Sequence, residues 1–344
     1  MKTTLSRRKA MTAGASMTAL TLGASTTSNA WSLPDVEGTD YLNQWSPPDN
    51  VKRDLTPGPT PIRLSCVAKG LSNRKGNPAD LVKGIRDAGY TAAEAFHSGW
   101  KKMTDSETRE LKAALKEHDL WFYNIHIWDN IIHPDPVLRR KCHDEYLRII
   151  ECAEQAGVGF ILVHTGSRGN GKPSAAHPQN WTEETWKMSV DALKKVIADT
   201  SGSKVNLAVE AINSNNFNNP PAHVRLRKDV GDDRLKYTLD PTNMMYAGNV
   251  FRSTELINSC FELMGEDIMY AHAKDVKFSG MLPGLSWAIP GEGEMDYEVY
   301  LTHLSRLKYT RPLMLEFLRG EDQYKQAKEF VEKTAEKTGV KIYR

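Results

Sequence analysis

Leu207-Ala208-Val209-Glu210, Tyr237-Thr238-Leu239-Asp240, Met269-Tyr270-Ala271-His272 and Leu313-Met314-Leu315-Glu316 repeat one design, a short apolar run ending on a metal-seeking side chain. The ending residues lie 30, 32 and 44 positions apart, close to the length of a strand-plus-helix unit. Strands of a closed parallel barrel aim their C-terminal ends at one face. Three carboxylates and one imidazole ending consecutive strands therefore converge. The pattern predicts a divalent-metal site in the mouth of a barrel.

The alternation extends outward from these segments. Ile62–Val67, Tyr90–Phe96, Trp121–Trp128 and Phe160–Thr165 read as strands one to four. Helices over Pro78–Ala88, Asp105–His118, Pro136–Ala156 and Thr182–Asp199 follow them, the last starting on an incomplete capping box, Thr182-x-x-Thr185. Asn206–Ala211, Lys236–Leu239, Ile268–Ala273 and Leu313–Phe317 read as strands five to eight. Their helices fall around Pro221–Val230, Ser253–Met264, Tyr297–Leu307 and Asp322–Lys337, and Gly89, Gly157 and Gly265 read as left-handed stops. Continuously apolar strands indicate a parallel sheet covered by helices. The expected fold class is α/β, a single-domain (β/α)8 TIM barrel over residues 61–344. A doubly wound open sheet is disfavoured, because no Gly-x-Gly-x-x-Gly turn follows the first strand.

At 344 residues, with 40% hydrophobic and 26% charged residues, the chain has the composition of a soluble globular protein. Residues 1–30 read as a signal peptide: basic Met1–Lys9, a mild apolar run Ala10–Ala24, then Ser28-Asn29-Ala30. Ser6-Arg7-Arg8 resembles a twin-arginine signal, although Ala10 stands where Phe is usual. The expected location is therefore periplasmic or otherwise exported, with no membrane anchor once the signal is removed. Losing Lys2, Arg7, Arg8 and Lys9 takes the formal charge from +2 to −2, which gives no long-range pull on nucleic acid. Residues 31–60, with Pro34, Pro47, Pro48, Pro57 and Pro59, read as an irregular leader. Cys66, Cys142, Cys152 and Cys260 read as packing residues. A homo-oligomer is compatible with the sequence.

A ligand set of Glu210, Asp240, His272 and Glu316, dominated by oxygen, suits Mn²⁺, Mg²⁺ or Co²⁺ ahead of Zn²⁺. His126 and His164 end strands three and four, and Glu94 ends strand two. Trp128, Trp181 and Trp287 map to the same face. Asn213 to Pro221 reads as a mobile loop that could cover the site. Lys274 reads as a partner of Asp275 or as a neutraliser of developing charge.

The strings Val209-Glu210, Leu239-Asp240, Ala271-His272-Ala273-Lys274-Asp275, Pro290-Gly291-Glu292-Gly293-Glu294 and Leu315-Glu316 resemble the xylose-isomerase-like TIM-barrel superfamily over roughly residues 62–340. The resemblance implies that Glu210, Asp240, His272 and Glu316 bind the metal. It also implies that Glu210 and Glu316 act as acid and base, and that His126 and His164 hydrogen-bond substrate. Lys274, Asn243 and Trp128 are further substrate-binding candidates. The chemistry is coherent, since a metal-polarised carbonyl acidifies the neighbouring C–H and a carboxylate removes the proton. Relatives often carry His where this chain has Asn243, and ketose 3-epimerases often carry Arg where it has Phe278. Trp287-Ala288-Ile289-Pro290 lacks the Asp-x-His of the endonuclease IV type.

The expected activity is isomerisation or epimerisation of a sugar, keto-sugar or sugar derivative. A lyase or dehydratase acting on a keto-polyol or 3-keto-glycoside is the alternative, and phosphodiester hydrolysis is less favoured. The exported protein is expected to begin at Trp31, and N-terminal sequencing of the periplasmic form checks this.

Overall fold

The computed structural model describes residues 45–49, 51–68, 77–96, 104–169, 171–280 and 284–344, all within one compact unit, Val36–Arg344. The signal-like segment 1–30 and leader residues 31–44 and 50 lie outside the described residues. In chain order the elements begin β1 (Arg63–Val67), α1 (Pro78–Asp87), β2 (Ala92–Phe96), α2 (Asp105–Glu117), β3 (Trp121–His126), α3 (Pro136–Ala156), β4 (Phe160–Val163) and α4 (Glu183–Asp199). They continue with β5 (Asn206–Glu210), α5 (Pro220–Val230), β6 (Leu235–Leu239), α6 (Ser253–Met264) and β7 (Ile268–Ala273). A hairpin, β8 (Asp275–Phe278) and β9 (Leu285–Ala288), precedes α7 (Tyr297–Arg306), β10 (Pro312–Leu315) and α8 (Gly320–Thr338).

Eight strands close a parallel barrel in the order β1-β10-β7-β6-β5-β4-β3-β2. Successive side chains on a strand point to opposite faces. Outward residues Ile161, Val163, Leu207 and Val209 share one apolar cluster with Leu193 and Val196 of α4. Inward residues Phe160, Leu162, Ala208, Tyr270 and Met314 form a separate cluster that fills the barrel. This interior plug is the floor on which the site stands.

Local chemistry sets the helix ends. Asp135 accepts from the Val137 and Leu138 N–H groups ahead of Pro136, and α3 stops at Gly157 with φ 75. Thr182 caps α4 by accepting from Thr185 N, without an acidic partner at that position. Gly265 departs from expectation: at φ 47 and ψ −130 it lies outside the left-handed helical region.

The antiparallel β8–β9 hairpin was not visible in the sequence pattern. Its strands are only four residues long, and Lys277, Phe278, Ser286 and Trp287 are exposed, so no apolar face announces them. The Pro290–Glu294 turn behind it is tied to Asp275, whose carboxylate accepts from the N–H groups of Val276, Gly291, Gly293 and Met295 at 2.9–3.1 Å. A Cβ on Gly293 would stand 2.3 Å from Asp275 Oδ1 and Val276 O, so only glycine fits. The Gly-x-Gly string is therefore structural.

The described leader is irregular and anchored. Arg53 pairs with Asp296 and Glu298, and Arg252 donates to Ser46 Oγ, Pro47 O and Pro48 O at 2.7–3.0 Å.

His223 supplies a pH signature. Its Nδ1 meets Asn219 O at 3.0 Å, its Nε2 is buried without a partner, and burial pushes its pKa down to about 4. The folded state binds this proton less readily than the unfolded chain, whose imidazole titrates near 6.5. Its contribution is complete above pH ~6.5 and is lost as pH falls toward 4, by about 3 kcal/mol. Denaturant unfolding across that window should show the loss, and His223→Leu should flatten the slope.

Candidate metal centre

Strand parity builds the site. Ala208 faces the barrel interior, so Glu210 two residues later does too, and Met314 brings Glu316 with it. On β7 the inward series is Tyr270, His272 and then Lys274. Asp240 follows β6 and serves two purposes. Its Oδ1 caps the turn Pro241–Met244, accepting from Thr242 N, Thr242 Oγ1 and Asn243 N, while Oδ2 faces His272 and Lys274.

His272 Nδ1 lies 2.9 Å from Glu210 Oε1, 3.5 Å from Asp240 Oδ2 and 3.2 Å from Glu316 Oε2. One candidate ligand atom from each residue falls within 4.8 Å of all the others. Ligand atoms held about 2.0–2.2 Å from one cation stand about 2.8–3.6 Å apart at tetrahedral or octahedral angles. The spacing and the donor chemistry both fit a divalent ion, and the structure brings together all four residues expected from the sequence.

The three carboxylates stand against two basic groups, His272 and the buried Lys274. Burial opposes charge on His272, but Glu316, Glu210 and Asp240 outweigh it and raise its pKa well above the ordinary imidazole range. Lys274 lies 2.5 Å from Asp240 Oδ2 and 3.0 Å from Glu316 Oε2, and its ammonium sits over the rings of Phe317 and Trp287. Burial alone would raise the Glu316 carboxyl, yet Lys274 and His272 bring it down to about 2. For Glu210 burial prevails and the carboxyl is raised. Lys274 therefore does not pair with Asp275: neighbours on a strand point oppositely, and Asp275 is occupied by the turn.

The other expected residues surround this group. Asn243 donates to Glu210 Oε1 at 3.1 Å and to Ala211 O at 3.0 Å, so it orients a candidate ligand. The Nε2 atoms of His126 and His164 are 3.0 Å apart, and His164 Nε2 is 3.7 Å from Glu210 Oε2. His126, His164 and Glu210 form a second group with metal-ligand spacing. Burial first, then the neighbouring His126, His272 and Lys274, push His164 well below its usual pKa, which keeps its ring neutral. Glu94 is buried, 3.7 Å from His126 Nδ1.

A cavity of about 780 Å³ opens over these residues and is lined by Glu94, His126, His164, Glu210, Lys274 and Glu316. Trp128, Trp287 and Phe317 also wall it. Phe317, which the sequence reading passed over, holds a left-handed φ of 57 and packs on Trp287 at 4.5 Å between ring centroids. Its position directly after the last ligand was the available signal. Trp181 lines an adjoining cavity instead. The Asn213–Pro221 segment is built in: Asn215, Asn216, Phe217 and Asn219 are buried, and Asn215 Nδ2 donates to Thr165 Oγ1 and Gly166 O.

The family model described as xylose isomerase-like TIM barrel matches residues 82–334. Among solved structures, D-psicose 3-epimerase with D-tagatose from Clostridium cellulolyticum H10 superposes with a TM-score of 0.58 at 16% identity, covering 80% of this chain and 96% of that one. The apo form of 3-keto-D-glucoside 4-epimerase from E. coli superposes with a TM-score of 0.58 at 16% identity, covering 80% and 99%. A xylose isomerase-like TIM barrel protein from Mycobacterium smegmatis, in complex with magnesium, gives a TM-score of 0.57 at 14% identity, covering 80% and 96%. A search of curated proteins by sequence gives no match.

A cation that takes His272 Nδ1 must displace the proton held there. Metal affinity is therefore expected to rise about tenfold per pH unit through neutrality. Calorimetric titration with Mn²⁺ in two buffers of different ionisation enthalpy should report proton release, which His272→Ala should abolish.

Proposed function

Because the chain belongs to the xylose isomerase-like TIM-barrel family, we propose that it is a divalent-metal-dependent isomerase or epimerase of a sugar, keto-sugar or sugar derivative. The observation that carries the reading is the placement of Glu210 and Glu316. Both line the same cavity from strands separated by two others in the barrel, and Glu316 is the most exposed of the four candidate ligands. Glu316 Oε2 accepts from Lys274, and its Oε1 makes no hydrogen bond among the described residues, leaving an oxygen free to meet a substrate proton.

Glu210, Asp240, His272 and Glu316 would hold the cation, which supplies Lewis-acid polarisation of a carbonyl. The protein side chains account for the proton movements. Lys274 keeps Glu316 ionised and so competent as a base. Glu210 also contacts His272, its pKa is raised, and it would return a proton to the opposite face of the same carbon. Return to the original carbon with inversion is epimerisation, and return to the neighbouring carbon is isomerisation. Asn243 fixes Glu210, and His126 and His164, in contact through their Nε2 atoms, line the cavity beside it. Trp128, Trp287 and Phe317 offer ring faces suited to the C–H surfaces of a sugar.

The export reading from residues 1–30 belongs to the same proposal. It places the reaction outside the cytoplasm and favours an unphosphorylated substrate.

Incubating the Mn²⁺-loaded protein with sugars and keto-sugars in D₂O, followed by NMR, tests the reaction. Deuterium is expected at a carbon next to the carbonyl with no fragment lost; release of water or an aglycone would indicate a lyase instead. Glu316→Gln should lower turnover by about 10²–10⁴-fold while leaving the circular dichroism spectrum unchanged. Full activity in that variant would overturn the acid/base assignment.

A further inference from the structure

The metal-site cavity does not end at Asn243. A second cavity of about 320 Å³ adjoins it, sharing Asn213 and Asn243 as common walls. Its volume alone reaches the lower end of the range for small-molecule sites, about 300–1,000 Å³. Trp45, Trp181 and Tyr246 supply aromatic surface, and Asn213 and Asn218 supply amides. Asn213 is exposed, and its amide makes no hydrogen bond among the described residues. No charged side chain is among the described residues lining this cavity.

The wall contributed by the leader is held in place. Arg252 binds Ser46, Pro47, Pro48 and Asp49, directly after Trp45, and Tyr246 Oη donates to Trp45 O at 3.4 Å. Ordering an irregular segment costs conformational entropy, and here the ordering presents an indole at a cavity rim. Aromatic faces with the free Asn213 amide and no charged side chain among the described lining residues suit a neutral hydroxylated ring and offer nothing to a phosphate.

We propose that the substrate carries a second, uncharged ring beyond the reacting sugar, and that the Trp45–Trp181 cavity is the subsite for it. The substrate class is then a disaccharide or other glycoside, not a free monosaccharide or a sugar phosphate. The inference rests on the sugar-acting reading above. The two cavities meet at Asn243, which is bonded directly to Glu210, so a ring reacting at the metal centre would direct its neighbour across Asn243.

The test is calorimetric binding to the Mn²⁺-loaded protein, with D₂O exchange measured in parallel. The probes are monosaccharides and their methyl glycosides, the corresponding disaccharides and phenyl glycosides, and glucose 6-phosphate. Disaccharides or phenyl glycosides should bind at least about tenfold more tightly than methyl glycosides. That ratio should fall toward one in Trp45→Ala and Trp181→Ala, and Trp45→Phe should restore most of it. Disaccharide and phenyl arms separate a sugar neighbour from an aromatic one. Equal affinity across the panel, tightest binding of glucose 6-phosphate, or a ratio unmoved by both alanine variants would overturn the subsite. Tryptophan-dependent glycoside binding without deuterium uptake would leave the subsite standing and overturn the proposed reaction. Uptake with no glycoside preference would do the reverse.

Discussion

Three carboxylates packed around one imidazole inside a closed barrel form the constraint on which this molecule turns. Like charges at such separations repel strongly where water is excluded. The group can exist only with positive charge among it. Lys274 supplies part of that charge, and either a proton on His272 or a divalent cation in its place would supply the rest. The same arrangement separates the two glutamates chemically, with Glu316 held ionised beside the lysine and Glu210 raised by burial.

Precision at this centre comes from the layers beneath and behind it. Phe160, Leu162, Ala208, Tyr270 and Met314 fill the barrel interior, so the candidate ligands rise from a packed floor. Asp240 owes its orientation to the turn it caps, and Glu210 to Asn243. On the far side, the Asp275 carboxylate gathers the backbone of the Pro290–Glu294 turn and so supports the hairpin that carries Trp287 to the cavity. Structural and chemical residues alternate along Ala273-Lys274-Asp275, because adjacent strand positions face opposite ways.

The cavity walls are assembled from segments remote in sequence. Phe317 follows the last ligand, Trp128 follows β3, and Trp45 arrives from a leader anchored by Arg252. The metal-proximal cavity is charged and the adjoining one is neutral.

The sequence by itself determined the barrel and its four candidate ligands. Eight apolar runs alternating with amphipathic helices admit few architectures, and metal-seeking residues at the ends of consecutive runs must meet when such a sheet closes. Of its two readings of Lys274, a pair with Asp275 or a neutraliser of developing charge, the structure removes the first, which the period-two rule already excluded, and sets the lysine against Asp240 and Glu316. The sequence read Asn213–Pro221 as loose because composition reports polarity and not burial, and Asn215 and Asn219 are buried polar residues with partners. Only the tertiary structure decided the short exposed hairpin, the left-handed Phe317, the His126–His164 contact and the second cavity. Each depends on distances between segments far apart in the chain, and local periodicity carries no information about those distances.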